Sequence, residues 1–559
     1  MLLLATPSLL QLTYCSAACI AGYWLYWQST TGRRHRQFVK KHGCRPARKV
    51  KNRDPVLGLD AVFAMWRWSD QHILFEKTSQ KFFGSGAKTV EFAFLTANVI
   101  LTCEGENIKS VLSQNFRAFG IANTPSELEL LLRGGIFLNE GEAWHQSREL
   151  IRPSFARSQV ADLDMLEKHV NTLIDGIPRD GSTVDLSTLF SQLTLSTAIE
   201  FLFGENSDEE DSAADKVSNH AFTEVWDRVS RYLANAGEGE HGKLWIYNYL
   251  LDRIRMNPQY RRDCSTIHHY VDKLVEKSLS SKQLESLSTS TTKPRYVFVH
   301  ELVSQTTDKV RIRNESLSVL FAARDTTAGL LTNVWFELSK RPDIWTRLRN
   351  EIDTLNGNKP NYEELKNLKY LRAVLNESQR LYPIIPAGGR KAKEDVALPV
   401  GGGEDGRSPV FVRKGQFVLF GIHAMHRRKD LYGEDADIFR PERWLDTEEK
   451  RGLRMGWEYL PFSGGPRVCP GQNFALTEAS YVTIRLIQSF PGRLESRDPE
   501  PWRELITFIV SNLGGCKVGL FPRESEANPD KGERARLKGG FELAIKMPSP
   551  ILGAGCNGS

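Results

Sequence analysis

Apolar positions outline this chain before any single residue does. From Leu2 to Trp27 the residues are mostly apolar and no charge falls before Arg33, a run long enough for the ~20 residues that a hydrocarbon core requires. Tyr23, Trp24, Tyr26 and Trp27 close it, where an interfacial belt would lie. Between Gln159 and Lys277 apolar residues recur three and four apart, as in Leu193, Ala198, Phe201 and Leu202, the period of packed helices. A further helix is predicted from a cap at Asn314 through Leu317, Leu320, Phe321, Leu330, Val334 and Leu338 to Lys340, before Arg341-Pro342. Val410 to Val412 and Gln416 to Phe420, joined around Lys414-Gly415, predict a hairpin. Asn206 to Asp215 and Ser278 to Pro294 read as solvated loops. The pattern is mainly α with a smaller β region.

With 25% charged and 40% hydrophobic residues among 559, the composition allows a large core. The net charge of +6 is local: ten Lys/Arg and no acid lie before Asp54, and the remainder carries −4. That distribution points to a membrane flank and away from nucleic acid. Arg33, Arg34, Arg36, Lys40 and Lys41 directly after the apolar run hold its C-terminal side in the cytosol, as in a signal anchor. A cleaved secretory peptide is the competing reading, with Ser16, Ala17 and Ala18 in its favour and the missing basic leader against it. Eight scattered cysteines without CxxC spacing exclude a disulfide framework or zinc site and suit a reducing compartment.

The candidate chemistry centres on the stretch from Phe462 to Gly471, in which Cys469 follows a glycine-containing turn and precedes a run of good helix formers. A cysteine at a helix start meets unpaired N–H groups that favour thiolate, and Arg467 adds a cation two residues away. This pattern resembles the haem-binding signature of the cytochrome P450 family at Phe462, Gly465, Arg467, Cys469 and Gly471. The resemblance implies that Cys469 is the axial ligand of a haem b iron, its thiolate favouring O–O cleavage.

Other segments carry the same resemblance. Trp144 and Arg148, one helical turn apart, resemble the family's pair that meets a haem propionate, and Arg390 is implied to reach a propionate as well. Asp325 and Thr326, in a helix otherwise strongly apolar, resemble the acid and alcohol that pass protons to bound dioxygen. The family usually has glycine where this chain has Ala323, whose methyl would narrow that cleft. Glu377 and Arg380, with Arg443, resemble a structural lock. Ile385 and Pro386 are implied to face the substrate.

The fold so implied is the cytochrome P450 fold, a helical haem-enclosing core with small β-sheets, preceded by one transmembrane helix. Its segments are an anchor over 1–32, a basic hinge over 33–60, a catalytic domain over 61–520 and a polar extension over 521–559. The expected activity is hydroxylation of a long-chain fatty acid or alkane, the likeness being to the fungal branch with that chemistry, with O2 and NADPH-derived electrons. Expected partners are a flavoprotein reductase, with cytochrome b5 as a second donor, and the endoplasmic reticulum membrane, the catalytic domain being cytosolic. Tailoring of a polyketide or terpenoid, a haem-thiolate isomerase or dehydratase, and a non-catalytic haem sensor are the alternatives.

Overall fold

The longest described helix, Lys309–Lys340, is the element on which the others stack. It begins earlier than its apolar pattern does, because Asp308 supplies the cap, accepting from the N–H groups of Val310 and Arg311. Asn314, expected to cap it, lies more than a turn inside. There it is buried and donates to the Arg133 carbonyl at 2.9 Å, tying down the loop that follows.

In this computed structural model the described residues are 9–522, except 55–56, 96, 122–125, 157–161, 205–221, 234–256, 288–295, 447–450 and 455. The polar break at Asn206 to Asp215 and the extension beyond residue 522 lie outside them.

Leu186–Phe203 packs along the central helix; it is long and apolar enough to cross a membrane, yet most of it is buried in the protein. Leu9–Ser29 is helical and exposes Tyr14, Ile20, Tyr23, Trp24, Leu25 and Tyr26. Thr31–His42 follows it and docks on the main body of the protein, with Phe38 against Phe411 at 5.2 Å and Arg34 paired with Asp395 at 3.4 Å. Pro258–Leu287 corrects the loop expected from Ser278 onward. No glycine or proline interrupts it after its first residue, and Ser278 is buried, its carbonyl 2.9 Å from His300 Nε2.

The largest sheet has six strands in the order Arg48–Lys49, Thr89–Phe94, Ala97–Thr102, Phe417–Gly421, Ala387–Ala392, Phe119–Ile121. The expected hairpin is corrected by it. Ser408–Val412 pairs with Val396–Gly402, whereas Phe417–Gly421 has both edges taken by Ala97–Thr102 and Ala387–Ala392, so the turn at Gly415 leads from one sheet to another. A short hairpin, Glu504–Ile506 with Val510–Asn512, lies on the central helix. Its first residue reaches far back along the chain: the Glu504 carboxylate accepts from the N–H groups of Phe75 at 3.0 Å and Glu76 at 3.3 Å.

Candidate active site

The loop before helix Gln472–Ser489 is shaped by its backbone. The Cys469 N–H donates to the Phe462 carbonyl at 3.0 Å, and Val468 to that of Gly465 at 3.0 Å, folding the strip around Cys469. Gly465 has φ +69°, and a Cβ there would lie 2.0 Å from the Leu112 carbonyl oxygen. Ser463 is also left-handed, at φ +62°. Gly471 occupies the cap position of this helix, and Pro470 stands just outside it. Burial pushes the Cys469 thiol up, against the opposing pull of the Gly471 N–H and the Arg148 charge.

Three cations gather beside this loop. Arg148, from helix Gly141–Ile151, donates to the Val468 carbonyl at 2.6 Å. Arg467 donates to the Asn139 carbonyl at 2.7 Å and lies on the face of Trp144 at 4.6 Å, so Trp144 acts here as a platform. Arg390 stands on the strand Ala387–Ala392 and donates to its neighbour's carbonyl at 2.8 Å. Arg467 is pushed down to about 10, first by burial and then by the charge of Arg390, with Arg148 adding and Glu140 opposing. Among the described residues none of the three forms an ion pair, and Glu140 is itself held by Lys393 at 3.1 Å.

On the central helix, Leu317 to Phe321 are buried, and partly open positions then appear at Ala322, Ala323, Asp325 and Thr326. The Thr326 hydroxyl donates to the Ala322 carbonyl at 2.7 Å. Burial raises Asp325 above the usual carboxylate range while Arg324 beside it pulls the other way. Ile385 is exposed and Pro386 buried, its carbonyl accepting from His423 N–H at 2.9 Å.

Away from the loop, Glu377 and Arg380 are fully buried and doubly bonded at 2.8 and 2.9 Å, and Arg443 Nε donates to Glu377 at 2.8 Å. Both arginines also donate to backbone carbonyls between residues 426 and 438.

Comparison with known proteins agrees with this geometry. The family model described as cytochrome P450 matches residues 58–513. The chain is 38% identical over 517 residues to the cytochrome P450 monooxygenase fsdH of Fusarium heterosporum, covering 90% of this chain and 88% of that one. It belongs to the cytochrome P450 family. It is likewise 40% identical over 451 residues to cytochrome P450 52A5 of Candida maltosa, covering 78% of this chain and 82% of the relative. To the monooxygenase himC of Aspergillus japonicus it is 38% identical over 500 residues, with 88% and 87% covered. The protein is therefore a P450 monooxygenase, working with haem, O2 and electrons from an NADPH-linked reductase.

Sequence reading passed over three features of this P450. Trp444 Nε1 donates to Glu377 at 2.9 Å, and the Arg440 N–H at 2.8 Å, so the lock has five members; the position of Trp444 directly after Arg443 was the available signal. Arg324 bridges two acids, Asp325 at 3.2 Å and Asp227 at 2.6 Å, the latter from helix 222–233. Glu478, nine residues past Cys469, is buried against the hydroxyls of Thr197 and Thr327 and pushed up to about 8 by that burial. Nothing in the sequence marks Glu478, because its partners come from two distant helices.

Proposed function

We propose that this P450 hydroxylates long-chain aliphatic substrates, with Cys469 as axial ligand of the haem iron. The observation that carries the reading is the donor set: one cysteine on a rigid loop, flanked by Arg148, Arg390 and Arg467, which form no ion pair among the described residues. Such a set fits a flat group with a metal centre and two carboxylates, since guanidinium–carboxylate bonds are among the strong hydrogen bonds. Trp144 keeps Arg467 in place, and Phe462, Gly465 and Gly471 give the loop its path. Bound haem supplies the one-electron and dioxygen chemistry that side chains lack.

On the distal side, burial raises the Asp325 carboxyl while the Arg324 charge opposes it, and the next residue, Thr326, directs its hydroxyl proton to the Ala322 carbonyl, so the two can hold and pass a proton between them. Ala323, Ile385 and Pro386 border the substrate. Apolar side chains at the rim, with Ile385 at 42% exposure, favour an alkyl chain. Glu377, Arg380 and Arg443 hold the fold beneath. The helix Leu9–Ser29, with its exposed aromatic end and the basic helix after it, serves as a single-pass anchor in the endoplasmic reticulum membrane, the catalytic body on the cytosolic side. A flavoprotein reductase, assisted by cytochrome b5, delivers the electrons.

The reduced, carbon monoxide-bound protein should show the red-shifted Soret band of thiolate ligation, and Cys469→Ala should abolish it. With reductase, NADPH and O2, fatty acids and alkanes should give hydroxylated products matched to NADPH consumed. Oxidation confined to polyketides or terpenoids would overturn the aliphatic assignment.

A further inference from the structure

Helix 222–233 buries Phe222, Val225, Trp226 and Val229, three and four residues apart, so a single apolar stripe faces the core. Asp227 flanks that stripe and is half-exposed. Trp226 and Asp227 thus bring a neutral N–H donor and an anion, side by side, to the reactive stretch of the central helix.

Rings fix the indole in place. Trp226 meets Phe222 at 5.6 Å and Phe321 at 6.2 Å, and Phe222 is stacked at 4.1 Å on Tyr270 of helix Pro258–Leu287. At 1% exposure Trp226 is sealed from water. Its one polar atom is a donor, which when buried normally finds an acceptor. Among the described residues Nε1–H closes no hydrogen bond, and the acceptor it faces is the Asp325 carboxyl, which it pulls toward the ionised form.

Two charges act on the same carboxyl. Arg324 lies 3.2 Å from Asp325 and 2.6 Å from Asp227, so its guanidinium is shared between two acids. The indole is not shared. While Asp325 carries its proton, Trp226 faces the weaker acceptor. When the proton passes to the relay, the O–H bond breaks, the electron pair stays on the oxygen, and the carboxylate so formed is the stronger acceptor. Asp325 keeps 20% of its side chain exposed, and solvent returns the proton.

We infer that Trp226 is a positioning residue of the proton relay, its indole N–H orienting the Asp325 carboxyl and stabilising the carboxylate that each proton delivery leaves behind. The inference rests on the relay and aliphatic readings above. The test uses the full-length, haem-loaded enzyme with reductase, NADPH, O2 and dodecanoic acid, and reads product formed per NADPH across the pH range. Trp226→Phe keeps an aromatic ring and removes the donor. It should move the alkaline-side limb up by about one pH unit, the scale of a hydrogen bond to a charged group. In an Asp325→Asn background it should lower the ratio no further. Trp226→His keeps an N–H on a smaller ring, so its limb should lie at or below the wild-type position; it carries the test if the phenylalanine variant lacks the carbon monoxide signature. Phe222→Leu disturbs the same ring stack without touching the donor and should leave the limb in place. A limb unmoved in Trp226→Phe, raised in Trp226→His or moved equally by Phe222→Leu would overturn the inference and leave the relay standing. An Asp325→Asn enzyme with an unchanged ratio would overturn the relay and the inference together. Wild-type enzyme that forms no product from dodecanoic acid would overturn the aliphatic reading and the inference resting on it, before any variant is made.

Discussion

Arg443 donates from Nε to Glu377 Oε1 at 2.8 Å, with both side chains essentially out of solvent. Removing one member of a buried, fully bonded pair leaves its partner as an uncompensated charge, which costs about 3–5 kcal/mol. Arg443→Ala should therefore lower stability by that order and yield little haem-loaded protein. Thermal unfolding and haem content per chain measure it.

Gly465→Ala tests the loop geometry. Its φ of +69° and the 2.0 Å approach of a Cβ to the Leu112 carbonyl leave no room for a methyl without moving backbone. The expected outcome is loss of the red-shifted Soret band although Cys469 is present. A Gly415→Ala control, also left-handed but with open space around it, should pay only the conformational strain and retain the band.

Arg324 and Asp227 act on Asp325 with opposite sign. Burial raises Asp325, the Arg324 charge lowers it and the Asp227 charge raises it. Arg324→Gln should move the alkaline-side limb of the pH profile of product formed per NADPH to higher pH, and Asp227→Asn should move it lower. Thr326→Ala should reduce that same ratio severalfold or more, since a positioned proton donor contributes about 100-fold or more to the step it serves.

Glu478 provides a stability test. Its carboxyl is raised from 4.5 to about 8, so the folded state favours the protonated form. The stabilisation is fully present below the unfolded value and is lost as pH rises toward 8, at about 1.4 kcal/mol per unit of separation. Glu478→Gln should flatten the fall in melting temperature between pH 5 and pH 9.

The pairing most legible in the sequence was Glu377–Arg380, because a three-residue spacing on one helix brings the two charges together. Partners that meet only in three dimensions were not. Trp444 on Glu377, Asp227 on Arg324 and Thr197 on Glu478 join separate helices, and periodicity carries no record of which faces meet. Local signals also misplaced boundaries. Asn314 is as good a cap as Asp308, and the choice fell to the residue whose side chain was not needed at Arg133. Phe417–Gly421 has the strand composition expected of it, but its neighbours were decided by Ala97–Thr102 and Ala387–Ala392.

The bond from Glu504 to the Phe75 N–H closes a span of 429 residues. A contact so far apart in sequence forms only after the intervening chain has been made and ordered, since closure entropy grows with the span. A ribosome-bound nascent chain, growing from its N-terminus, thus holds the start of helix Leu74–Phe83 waiting for a carboxylate that emerges only after 429 further residues have been made. The hairpin that begins at Glu504 is seated by the same bond, so its place on the central helix is fixed only once both ends of that span have been made.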